Sequence, residues 1–458
     1  MLKTSVRKEE RNITNGSVLK AIMYFSIPYL FSYFLQTLYG MADLFIIGQF
    51  NGVESTTAVS IGSQVMHMLT VIITGLAMGV TVITGRAAGA GEKRQVNRTV
   101  GNTAVLFMLV SVLFTIILSA TVKQIVHIMS TPAEAVAETS IYLQICFGGI
   151  PFITAYNITS SVFRGMGDSK SPMYFVAIAC IFNIVLDFIF IGILHLGAAG
   201  AALGTTLSQA SSVFISFIFI IKRNMIPGIC KRDFKLDKVV LGSILKIGFP
   251  IAVQDGFIQV AFIIITIFAN RRGLNDAAAV GIVEKIIGII FLVPSSMLST
   301  VSALSAQNIG AGKYSRAKKT LKYAVIIAVS FGIAVTIFMQ FASESTVRMF
   351  SGNSEVITLG GQYMRSYVWD SIFAGVHFCF SGYFCAYGLS MVSFVHNLAS
   401  ILFARIPLAY IASEHYKNSL FPMGIAAPAG SLLSVLICVA AFIWMEQNPG
   451  RLKKQGVK

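Results

Sequence analysis

Charge is scarce in this chain. Only 12% of its 458 residues are charged, about half of what a water-soluble domain carries, so an ordinary soluble fold is excluded. Cysteine is also scarce. Cys146, Cys180, Cys379, Cys385 and Cys438 fall in apolar stretches and Cys230 in a polar one, and no two make a metal-type CxxC pair. They read as small apolar fillers, with no disulfide framework. The six histidines, His67, His127, His195, His377, His396 and His415, are scattered and form no HExxH, which removes the common zinc hydrolase pattern. There is no GxxxxGK[ST] order, so a nucleotide cradle is unsupported. No nucleophile elbow or Ser/Lys arrangement supports an enzyme. The N-terminal segment is charged and Asn-rich, without the short apolar core of a cleavable leader.

What is present is apolar length. The chain is 55% hydrophobic, and a helix needs about 20 mostly apolar residues to cross a bilayer. Twelve such stretches stand at 21–50, 56–84, 97–121, 138–163, 172–194, 198–221, 247–270, 277–306, 321–342, 359–387, 391–413 and 423–446. They are continuous runs of helical length without the alternation of a membrane β-barrel. The expectation is an all-α polytopic membrane protein.

The basic residues give an orientation. With the N-terminus inside, 27 of the 35 Lys and Arg lie in the N-terminal segment, the inner connections and the C-terminal tail; five lie on the opposite side and three (Lys285, Arg365, Arg405) within spans. This positive-inside asymmetry places both termini in the cytoplasm. It also accounts for the net charge of +16 without invoking nucleic acid.

A pattern recurs about 221 residues later in the chain: Pro28 answers Pro250, Gly89-Ala90-Gly91 answers Gly310-Ala311-Gly312, Tyr142 answers Tyr363, and Gly167 answers Gly388. Four ordered pairs at nearly one offset indicate two related halves. Six spans per half is even, so the repeats are parallel, related by an axis along the membrane normal. The expected domains are a six-helix lobe at 1–221, a basic cytoplasmic linker at 222–246, and a six-helix lobe with a cytoplasmic tail at 247–458. The linker either lets the lobes rock or serves as a positive-inside anchor. Two pseudo-symmetric lobes suggest a transporter with a central site.

An ionisable group inside a span is costly and marks function by default. Asp43 follows Tyr39 by four residues and Asp187 follows Asn183 by four, so each pair shares one helix face. Two carboxylates, an amide and a phenol form an oxygen-rich pocket suited to a hard cation such as Na⁺ or to a proton. The plain alternative is that each Asp stabilises a helix end.

The chain resembles the multidrug and toxic compound extrusion (MATE) family, closest in style to its DinF-like prokaryotic branch. The resemblance runs over nearly the whole chain and is carried by Gln36-x-x-Tyr39-x-x-x-Asp43, GAGEKRQ (89–95), FRGMGDSKSP (163–172), Asn183-x-x-x-Asp187, GAALGT (200–205) and FARIPLAY (403–410). It implies a cation or proton site with Asp43 and Asp187 as acids, Asn183 as amide ligand, Thr205 as hydroxyl ligand, and Tyr39 beside them as gate or hydrogen-bond partner. Gln36 joins Tyr39 as a candidate for coupling or gating. It further implies efflux of lipophilic, often cationic organic compounds by alternating access, coupled to inward H⁺ or Na⁺. No cofactor is called for beyond the coupling ion, and no metal beyond Na⁺ at the Asp43/Asp187 site.

The second half departs from this pattern, because Ala404 and Leu408 fall where Asn183 and Asp187 stand. Its intramembrane acids, Asp255, Glu284 and Asp370, are further coupling candidates or else interfacial or ion-paired charges. GAGEKR and GAGKYSRAKK read as tight turns with basic residues facing anionic lipid. Arg164 is expected to snorkel to the interface, with contact to substrate as the alternative. The reading is therefore a secondary active multidrug exporter in the cell (inner) membrane, functional as a monomer, whose partners are small organic substrates and the bilayer. The alternative is a related flippase of lipid-linked oligosaccharides, which calls for a more cationic cavity.

Overall fold

The computed structural model describes residues 13–448. Every regular element among them is helical. The helices are α1 (Val18–Phe50), α2 (Val53–Gly89), α3 (Lys93–Ala120), α4 (Ala133–Gly148 and Ile150–Gly165, bent by 47°), α5 (Lys170–Ile193) and α6 (Gly197–Arg223), followed by α7 (Lys238–Arg272), α8 (Leu274–Gly310), α9 (Tyr314–Arg348), α10 (Ser354–Tyr367 and Asp370–Ala386), α11 (Ser390–His415) and α12 (Phe421–Gln447). Ten are long and apolar enough to cross a membrane, or eleven with bent α4 taken as one span. The twelfth, α10, carries Glu355, Arg365 and Asp370 and breaks at Val368–Trp369. The twelve stretches expected from the sequence thus coincide with twelve helices, ten or eleven of them long and apolar enough to span.

The described residues divide into two compact units, Ile27–Leu245 and 13–26 with 246–448. This boundary differs from the one expected. The segment 222–245 packs as part of the first unit. On α3, the Asn97 amide donates to the Pro227 carbonyl at 3.1 Å and the Asn102 amide to the Asp233 carbonyl at 3.1 Å. The Asn102 side-chain Oδ1 accepts from the Asp237 N–H at 2.6 Å, and Arg98 pairs with Asp237. Val240 and Ile244 then join a core with Val80, Phe107 and Val162. Residues 13–16 belong to the second unit for a similar reason. Arg316 donates to the carbonyls of Ile13, Asn15 and Gly16 at 2.7–3.1 Å, and Lys313 to that of Thr14 at 3.0 Å. Each half therefore begins its first helix in the other half's unit. The change of unit falls just ahead of Pro28 in α1 and Pro250 in α7. A helix proline withholds one backbone N–H and opens the ladder there.

The repeat is visible in backbone geometry. Gly91 and Gly312 have φ of +75° and +73°, and Gly167 and Gly388 have +94° and +72°. At each, the following N–H reaches back five residues: Glu92 to Ala87, Lys313 to Asn308, Asp168 to Phe163 and Leu389 to Phe384. This is the left-handed glycine stop that ends a helix by satisfying its last carbonyls. The expectation of tight turns there is met. Tyr142 and Tyr363 are both buried, each in the principal apolar core of its unit.

Five cysteines are buried and Cys230 is exposed; none is in a disulfide. A shallow basic cavity of about 940 Å³ lies on the first unit between the start of α3 and the 232–238 segment. Lys93 and Arg94 line it.

Candidate functional site

The acidic pocket forms in the first unit from α1, α5 and α6. Asp43, Asn183 and Asp187 are 5%, 1% and 0% exposed. The spacing of four between Asn183 and Asp187 sets both on the buried side of α5, whose last α-helical residue is Asp187. Directly after it the chain widens into a π-turn, Phe188–Ile193, a distortion that often accompanies function. The Thr205 hydroxyl on α6 donates to Asp43 Oδ2 at 3.1 Å. Gly204 is required for this approach, because a Cβ there would stand 2.2 Å from Asp187 Oδ1. Asp43, Asn183 and Asp187 face one another closely enough to interact. Yet Asp43 Oδ1, both Asp187 oxygens and both Asn183 amide atoms are buried and have no hydrogen-bond partner outside this group.

Five orphaned polar atoms are unusual, since buried polar groups are nearly always satisfied. Four are oxygens, and with the Thr205 hydroxyl they suit a hard cation or a proton-bearing carboxyl. Among the described residues, no group of three or more His, Cys, Asp or Glu could hold a metal. The donor set is two carboxylates with amide and hydroxyl oxygens, which fits a monovalent ion better than a tightly held transition metal. Tyr39 lies near Asp43, with Gln209 and Tyr156 around its hydroxyl. Gln36 lies one turn further along α1, beside Tyr156.

The second-unit candidates do not assemble into a matching pocket. Asp370, fully buried, is paired with Arg405 at 2.8 Å, and Arg405 also donates to Ser431 Oγ at 2.9 Å. Glu284 sits on α8 near Thr266, and Tyr363 and Tyr367 lie close to both it and the Asp370–Arg405 pair. Asp255 stands apart on α7, beside the Gln254 amide at 3.4 Å. His377 and His396, scattered in the sequence, meet with ring centroids 5.6 Å apart; Ser431 contacts His377 Nε2 at 3.3 Å and Ser381 contacts His396 Nε2 at 2.9 Å. For Asp370 the ion-paired alternative holds; its partner Arg405 and the histidine pair were not foreseen. Arg405 and Asp370, opposite charges in neighbouring spans, were the available signal.

One expectation is overturned. Arg164 does not snorkel: it is 7% exposed, and its guanidinium lies 4.2 Å from the centroid of the Tyr29 ring. The aromatic face holds the cation inside the unit.

Fold and site together define a polytopic membrane protein of two related halves, the first of which carries a buried pair of carboxylates with no salt bridge among the described residues. The chain belongs to the MatE family, whose model matches twice, over residues 28–189 and 250–411. It is 25% identical over 445 residues to the probable multidrug resistance protein YoeA of Bacillus subtilis (strain 168), covering 95% of this chain and 96% of that one. It is 28% identical over 414 residues to the probable multidrug resistance protein YpnP of the same organism, covering 90% and 93%. The fold is shared with a solved outward-facing multidrug resistance MATE family transporter of the MOP superfamily, at a TM-score of 0.88 and 24% identity, covering 97% and 98%.

Proposed function

We propose that this protein is a secondary active exporter of lipophilic and cationic organic compounds, driven by inward H⁺ or Na⁺ through the acidic pocket of its first unit. The observation that carries the reading is the set of orphaned polar atoms of Asp43, Asn183 and Asp187. Two ionised carboxylates buried side by side with no cation are too costly to persist. The pocket is therefore occupied by a proton or Na⁺ whenever it is closed to water, and is emptied when it opens to the side of low ion concentration. Thr205 and Asn183 orient the bound ion. Coupling its exchange to movement of the units gives alternating access. One charge crossing about 100 mV supplies about 2.3 kcal/mol, enough for a solute ratio of about 50 at one ion per neutral solute.

The positive-inside asymmetry supports a cell-membrane location with both termini cytoplasmic. The names of the relatives support multidrug export as the cargo class. Each unit holds its own cores, in keeping with a monomeric transporter. The reaction moves solutes and makes no covalent change.

The test is transport in proteoliposomes under independently imposed pH and Na⁺ gradients with several lipophilic dyes. Export driven by one gradient and lost in Asp187→Asn is the expected result. Dye flux indifferent to both gradients overturns the reading.

A further inference from the structure

The first unit contains a second buried polar group, of opposite charge to the acidic pocket. On one face of α4, Tyr156, Ser160 and Arg164 follow at intervals of four, and all three are buried. Arg164 has no carboxylate partner among the described residues. Asp168, four residues on, is engaged elsewhere: it accepts from the N–H groups of Lys170 and Ser171 at 3.1 and 3.0 Å and from the Ser171 hydroxyl at 2.5 Å. The guanidinium is instead surrounded by the phenols of Tyr29, Tyr33 and Tyr156. Tyr156 Oη and Ser160 Oγ are both buried and make no close hydrogen bond; the two hydroxyls lie near each other, and Gln36 approaches the phenol. Around them is an aromatic cluster that includes Phe163 and Phe175.

A buried guanidinium with no anion is a costly state. So is a buried hydroxyl without a partner. Here one cation and two hydroxyls, approached only loosely by each other and by Gln36, share a helix face beside aromatic residues. A flat organic anion answers all three requirements. Its carboxylate, sulfonate or phosphate oxygens accept from Arg164, Tyr156 and Ser160, and its ring stacks on the aromatic residues.

We propose that Arg164, Tyr156 and Ser160 form an anion-recognising subsite for the acidic group of an aromatic organic substrate. The subsite rests on the export reading only in that its ligand is an organic solute. Tyr29 and Asp43 both lie on α1, about 21 Å apart along its axis at the ordinary helical rise. The unit thus receives the ligand's anionic group and the coupling ion at separate levels. Arg164 recognises charge and Tyr29 holds it in place.

The experiment measures binding of two fluorescent probes to the purified full chain by anisotropy: a diaminoxanthene dye with a free benzoate, and the same dye as its methyl ester. In Arg164→Gln the benzoate dye is expected to weaken about tenfold and the ester by less than about twofold. Arg164→Lys recovers part of the loss. Tyr156→Phe, which removes only the hydroxyl, weakens the benzoate dye about threefold and spares the ester. Tyr156→Phe and Ser160→Ala carry the test if Arg164→Gln does not fold. Equal weakening of both dyes, or no weakening of either, overturns the subsite. Binding of the ester alone by the native protein overturns the subsite and leaves the export reading standing. Binding of neither dye overturns both.

Discussion

The two units carry the same turns, the same helix prolines and the same buried tyrosine, yet treat a buried carboxylate in opposite ways. In the first, Asp43 and Asp187 face each other with a hydroxyl and an amide for company and, among the described residues, no salt bridge. In the second, Asp370 is neutralised by Arg405, itself fixed by Ser431. An internally neutralised carboxylate has little to gain from an ion delivered by solvent. A carboxylate pair without a counter-charge has much to gain. On the proposed reading, ion exchange belongs to the first half and the Asp370–Arg405 pair of the second stays closed, although one family model matches both halves.

The largest expected effect comes from removing the open acids. Asp187→Asn should abolish gradient-driven export, and Asp43→Asn should nearly do so, while each protein stays folded, because the change keeps shape and removes the charge an ion must neutralise. The check is dye export by purified variants in proteoliposomes. Wild-type rates and ion dependence in both variants would move the coupling site to Asp255, Glu284 or Asp370.

The closed pair should answer in stability instead. Arg405→Ala leaves Asp370 buried and unpaired and should cost about 3–5 kcal/mol, read as a lowered thermal midpoint in detergent. The double variant Arg405→Gln with Asp370→Asn should recover most of it. A destabilised Asp187→Asn beside a fully stable Arg405→Ala would reverse the comparison.

Smaller effects sharpen it. Asn183→Ala and Thr205→Ala delete neutral ligands, at about 1–2 kcal/mol each, so coupling should weaken roughly tenfold rather than vanish. An ion titration of transport separates that outcome from loss of folding. At the equivalent place in the second half, Leu408 is 39% exposed. Leu408→Val should change stability by less than about 0.5 kcal/mol and leave the transport profile intact.

What the sequence made legible follows helix period. The spans, the repeat and the two pairs spaced at four residues are local patterns, and the backbone keeps them. Thr205 reached the pocket only through family resemblance, because its partner Asp43 lies 162 residues away. Three features stayed hidden because they depend on which helices meet. Arg405 finds Asp370 from 35 residues away. Arg164 turns inward because Tyr29, on a different helix, offers an aromatic face. The 222–245 segment joins the first unit because Asn97 and Asn102 hold its carbonyls. No hydropathy run encodes these meetings.

Cys230 has a practical consequence. Five of the six thiols are enclosed, and this one is open, on the segment that joins the two repeats. The native chain is in effect a single-thiol protein. A membrane-impermeant maleimide will mark one position without any cysteine being engineered in or out. Added to intact cells it leaves the chain unmarked if that segment faces inward, and added to inverted vesicles it marks it once. The sidedness of the protein is therefore readable from unmodified material, with one mass shift as the record.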